Sequence, residues 1–147
     1  MSKSIALTQT DLNKLLNHVT KTNHPKRNRL MVLFSFWCGL RVCEISNLKV
    51  HHVLNKDGSI KDTIHLNKNE TKGKNNRVVL IPSKLFPEIE NYLNLTDTHI
   101  NRDDYLFQPQ SNKPKFSVDS LTHRFKEFYT NSGIESGSSH SGRNTHL

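Results

Sequence analysis

The sequence predicts an α+β fold: a mainly α-helical domain with a small three-stranded antiparallel sheet in the middle of the chain. Three observations carry that prediction. Apolar residues recur at helical spacing near both ends, as Leu12, Leu15, Leu16, Val19 and again as Val118, Leu121, Phe125, Phe128. Residues 30–37 form an almost unbroken apolar run that ends shortly before Gly39, the pattern of a helix buried on most of its faces. From residue 50 to 81 the periodicity shortens to β-rich runs separated by turn residues.

In chain order, Thr8 is the expected N-cap of the first helix, with Asp11 three residues on and Leu7 and Leu12 placed to staple the entry. Asn23-His24-Pro25 interrupts that helix, and Pro25 suits the first turn of the next. Gly39 ends the second helix, because glycine enters the left-handed conformation without steric cost. A third helix follows at once, with Val42, Ile45 and Leu48 facing inward. Residues 50–54, 63–66 and 77–81 are the three expected strands, the last two joined by a polar, basic turn over residues 70–76, and Pro82 ends the sheet. Ser83 is the expected cap of a helix running to about Leu95. A polar loop, the short apolar element Tyr105-Leu106-Phe107 and a proline-bearing loop come next. Ser117 caps a final long helix, stopped by Gly133, and a Gly/Ser-rich stretch leads into His140-Ser141-Gly142-Arg143. No repeat and no second domain is visible, so residues 1–147 read as one domain.

Lys and Arg total 21 against 13 Asp and Glu, a net charge of +8. That excess favours a polyanion, nucleic acid before membrane, since no basic amphipathic helix stands out. No run reaches membrane-spanning length and the first residues lack a signal-peptide core, which points to the cytoplasm. Cys38 and Cys43 read as reduced core residues rather than a disulfide or half a metal site. The nine histidines show no ligand spacing with the cysteines and read as scattered surface residues, so no metal and no cofactor is expected.

Arg41 lies between two packed helices, near the start of the second, where an anion is favoured. Two readings are open: a device for holding a phosphate or carboxylate, or a solvated arginine in an ordinary helix corner. Lys72 on the basic turn and the pair His140 and Arg143, three apart after the good cap Ser139, complete a set of cations. Two guanidiniums can neutralise the non-bridging oxygens of a phosphodiester, an ammonium can protonate a leaving oxygen, and an imidazole can move a proton.

These residues carry a resemblance. Gly39-Leu40-Arg41-Val42-Cys43-Glu44-Ile45 resembles the G-L-R-x-x-E-[IL] box of the tyrosine recombinases, the phage-integrase family. Thr71-Lys72-Gly73-Lys74, followed by Arg77 and Val79, is similar to that family's β-hairpin with its catalytic lysine. His140-Ser141-Gly142-Arg143-Asn144-Thr145 resembles its H-x-x-R box. The three occur in the family's order over residues 7–147. The resemblance implies a tyrosine-recombinase catalytic domain with double-stranded DNA as substrate. Arg41 and Arg143 would sit on the scissile phosphate, Lys72 would be the general acid toward the leaving 5′ oxygen, His140 would assist proton transfer, and Glu44 would support the site from behind. Lys74 is the competing hairpin lysine, although Lys72 keeps the family's distance to Arg77. Other recombinase protomers are implied as possible partners, a small-molecule substrate is not, and no metal or nucleotide is implied.

The sequence also departs from the family. The second histidine or tryptophan and the nucleophilic tyrosine follow the H-x-x-R box in the family, and Tyr92, Tyr105 and Tyr129 all precede it here. No N-terminal core-binding domain is expected either. The expectation is therefore an incomplete catalytic domain of a site-specific recombinase or integrase, silent in DNA cleavage as given. The alternative is a non-catalytic DNA-binding regulator or dominant-negative partner, and a metal-dependent nuclease is a weaker third. An incomplete domain is also expected to leave apolar surface open near Phe125, Phe128 and Leu147.

Overall fold

Helix α2 (Pro25–Cys38) is the element on which three other helices pack, and the computed structural model of the chain describes residues 8–67, 76–94, 101–109 and 113–134. Every residue from Leu30 to Phe36 on this helix is buried. A segment apolar on all sides has no face to offer water, so it belongs in the centre. Helix α1 (Gln9–Val19) lies against it through Leu12, Leu15 and Val19. Its N-terminus carries the expected reciprocal box: Thr8 Oγ1 accepts from the Asp11 N–H at 3.0 Å and an Asp11 carboxylate oxygen accepts from the Thr8 N–H at 3.1 Å. Pro25 occupies the first turn of α2, as expected. At the other end Gly39 has φ 68°, and the chain turns directly into α3 (Val42–Asn47).

Among the described residues the sheet has two strands rather than three. β1 (Thr63–Leu66) and β2 (Arg77–Leu80) pair antiparallel, with Thr63 opposite Leu80 and Leu66 opposite Arg77. Residues 50–54 instead form a 3₁₀ turn, Val50–His52, and a single bridge between Leu54 and Ile60. The buried apolar residues there are Val50, Val53 and Leu54, the spacing of a helical turn rather than of a strand. Their backbone is also already committed: the Val50 and His51 N–H groups donate to the Asp104 and Arg102 carbonyls at 2.9 Å. Inside the turn, His52 Nδ1 accepts from the Lys49 N–H at 2.9 Å, and His52 is buried, unlike the surface histidine that composition suggests.

Ser83 does not cap a long helix. Residues Ser83–Leu85 form a 3₁₀ turn and α4 (Phe86–Leu93) starts after it, with Pro87 in its first turn. The Arg29 fork joins α2 to α4 by holding Glu88 at 2.8 and 2.9 Å, and that carboxylate keeps the Arg29 guanidinium above its ordinary pKa. Ser117 does cap α5 (Val118–Asn131), its Oγ accepting from the Ser120 N–H at 3.1 Å. Gly133, at φ 83°, follows the end of that helix. α5 lies against both α1 and α3 and buries Leu121, Phe125, Phe128 and Tyr129. Phe125 and Phe128 are thus covered, not exposed, and Leu147 lies outside the described residues. Their rings pack edge-to-face 6.0 Å apart, and His18 of α1 meets Phe128. Among the described residues the exposed large apolar side chains are Val78 and Leu80, on the outer face of the sheet, and Val118.

Candidate functional site

The corner between α2 and α3 is built by one buried carboxylate. Glu44, in the first turn of α3, is wholly inaccessible to solvent. One of its oxygens accepts from the Arg41 backbone N–H at 2.8 Å, which closes the first turn of the helix and fixes the main chain at Arg41. Its other oxygen faces Nη1 of Arg77 at 3.3 Å, and Nη2 of Arg77 donates to the Gly39 carbonyl at 3.1 Å. Arg77 is the first residue of β2 and lies on the same face of the strand as Val79, which is buried in the core. The pleat therefore points this arginine inward, at the corner.

Arg41 itself is the N-cap of α3, in extended conformation, and half-buried. Among the described residues its guanidinium has no hydrogen-bond or ion-pair partner. A helix of six residues contributes little dipole, so the guanidinium supplies most of the positive charge here. Its main chain is fixed from behind, and its five donors make no bond to another described residue.

Of the four candidate catalytic residues, only Arg41 lies among the described residues; Lys72, His140 and Arg143 lie outside them, as does Lys74. Arg41 and Glu44 are brought together, as the sequence suggests. Arg77 joins them, a contact that motif spacing alone did not suggest. The alternation of β2 was the available signal: two residues before a core-facing Val79, an arginine needs an acidic partner inside.

The tyrosines are engaged in packing. Tyr92 donates its hydroxyl to the Leu106 carbonyl at 2.7 Å, and burial pushes its pKa up to about 12. Tyr129 is fully buried. The Tyr105 ring has the ammonium groups of Lys49 and Lys115 at 5.2 and 5.4 Å from its centroid, and Lys115 also donates to Asn47 at the end of α3. The two cysteines flanking the corner are free, and burial pushes the Cys38 thiol up to about 12. Among the described residues no group of three or more His, Cys, Asp or Glu is placed to hold a metal ion.

The model of the phage integrase family matches residues 6–147. The chain belongs to the phage integrase family. Among curated relatives, the phage-integrase chain is 35% identical to a tyrosine recombinase of Pseudothermotoga lettingae over 71% of its own length and 32% of the relative's. It is 32% identical to the tyrosine recombinase XerA of Pyrococcus furiosus, over 88% of its length and 42% of the relative's. It thus spans less than half of these relatives. Its fold is that of solved recombinases. A XerA recombinase superposes with a TM-score of 0.70 at 20% identity, covering 95% of this chain and 46% of that one. XerH bound to palindromic difH, a post-cleavage complex, superposes at 0.69 and 21% identity, covering 95% and 40%. The same fold in the Tn1549 transposon integrase, in complex with transposon right end DNA, gives 0.68 at 13% identity, covering 99% and 52%. This phage-integrase chain, like those, is mainly helical with a small antiparallel sheet.

Proposed function

We propose that this chain is the phosphate-engaging part of a tyrosine-recombinase catalytic domain, acting on double-stranded DNA in the cytoplasm. Arg41 holds a non-bridging oxygen of a backbone phosphate. Arg143 takes the second, Lys72 protonates the leaving 5′ oxygen, and His140 assists that proton transfer; Glu44 supports Arg41 from behind. The observation that carries the reading is the Arg41 guanidinium, fixed through its main chain and without a protein partner among the described residues. A partly buried, unpaired guanidinium is costly to keep unless an oxyanion uses it. Family membership and the net charge of +8 support the same reading.

In cleavage the chain is silent as given, because each described tyrosine is committed to packing. The second reading, a DNA-binding regulator or partner of a full-length recombinase, rests on that same observation. Both are tested together. Fluorescence anisotropy with a labelled DNA duplex should give binding that Arg41→Ala weakens about tenfold. Incubation with a nicked suicide duplex should give no covalent protein–DNA adduct. An adduct would overturn the silence, and binding indifferent to Arg41→Ala would overturn the phosphate site. Loss of binding on adding a chelator would turn the assignment toward metal-dependent chemistry.

A further inference from the structure

The geometry points to Arg77 as a positioning residue for Arg41, a strut that fixes the corner on both sides of the phosphate-binding side chain. This inference rests on the proposed role of Arg41. One guanidinium reaches two anchors. Nη2 takes the Gly39 carbonyl, two residues before Arg41, and Nη1 takes the Glu44 carboxylate, whose other oxygen holds the Arg41 N–H. The Arg41 main chain is therefore clamped between the left-handed residue that ends α2 and the carboxylate that starts α3.

The clamp has a further consequence for how the parts of the domain are coupled. Gly39, Arg41 and Glu44 are close in sequence and form one corner, whereas Arg77 arrives from the sheet, 33 residues beyond Glu44. No backbone hydrogen bond joins β2 to α3, so the fork of Arg77 registers the strand against the corner. Its side chain is 30% exposed, and Glu44 is wholly enclosed. Among the described residues Arg77 is the cationic partner on which the carboxylate depends, and the carboxylate gives Arg77 its aim. Nothing in this arrangement places Arg77 on substrate: both nitrogens described are turned to protein oxygens.

A double-mutant cycle on DNA binding tests this, read by anisotropy with a labelled mixed-sequence duplex. Two backgrounds are used. Arg77→Lys keeps a cation beside Glu44 but offers one nitrogen for two anchors. Glu44→Gln combined with Arg77→Met removes the strut without stranding a buried carboxylate, so folding is retained. In the parent chain Arg41→Ala should weaken binding about tenfold. In the Arg77→Lys background that factor should fall, and in the Glu44→Gln/Arg77→Met background it should fall to about twofold or less. Lys56→Ala, on the exposed turn after Leu54 and away from the strut, should keep the same factor in all three, which a general loss of structure would not allow. An Arg41→Ala factor that is unchanged in both backgrounds overturns the positioning role while leaving the phosphate site intact. Absence of any Arg41→Ala effect in the parent chain instead overturns the site and the inference with it.

Discussion

Glu44 and Arg77 are unequal partners, and the inequality decides what each substitution costs. The carboxylate is wholly buried, whereas the guanidinium is 30% exposed and can be rehydrated where it stands. Removing Arg77 leaves a charge enclosed in the core with, among the described residues, one backbone N–H as its partner, the situation that typically costs about 3–5 kcal/mol. Glu44→Gln keeps an acceptor for the Arg41 N–H and releases Arg77 to water, so a cost of about 1–2 kcal/mol is expected. Arg77→Met should therefore destabilise more than Glu44→Gln, and the double substitution less than Arg77→Met alone. Urea unfolding of the three variants reads the order directly. A Glu44→Gln variant less stable than Arg77→Met would mean that the carboxylate is held by something other than this arginine.

At the scale of elements, the corner is a helix stop followed at once by a helix start. Gly39 adopts φ 68° and ψ 27°, a region that costs an ordinary L-residue about 1–2 kcal/mol. Gly39→Ala should lower stability by that amount. The cost should appear together with weakened DNA binding, because the Gly39 carbonyl is one anchor of the Arg77 fork. A melt unchanged by Gly39→Ala would show that the corner relaxes into another turn. This element was legible in the sequence: an apolar run, a glycine and a second apolar stripe leave few other solutions. The cap of α1 was equally legible, because Thr8 and Asp11 satisfy each other locally. What was not legible depended on distant partners. The 50–54 segment looked β-rich, but the carbonyls of Arg102 and Asp104 take its first donors and turn it into a 3₁₀ element. Ser83 looked like a cap, yet Pro87, which fits only a first turn, moves the start of α4 to Phe86. In the site, Arg41 could be read from its place between two helices, and Glu44 from the motif resemblance. The contact of Arg77 needed the inward face of β2 as well as its neighbours in sequence.

For the molecule as a whole, the question is whether a net charge of +8 forms a footprint or a diffuse halo. Duplex DNA answers it through counterion release: log K against log salt falls by about 0.9 for each phosphate neutralised. A chain that holds about five phosphates through fixed cations should therefore give a slope near −4.5. Arg41→Ala should reduce that slope by about one unit, because in the proposed role its guanidinium, without a protein partner among the described residues, takes one phosphate. Substituting Arg29 should leave the slope nearly unchanged, since its fork is already taken by Glu88 at 2.8 and 2.9 Å and its charge is neutralised within the protein. Binding measured from low to moderate salt for the parent chain and these two variants separates the cases. A slope shallower than about −2, or equal losses from Arg41 and Arg29, would mean that DNA senses the average charge of the surface and that the α2–α3 corner has no particular claim on a phosphate.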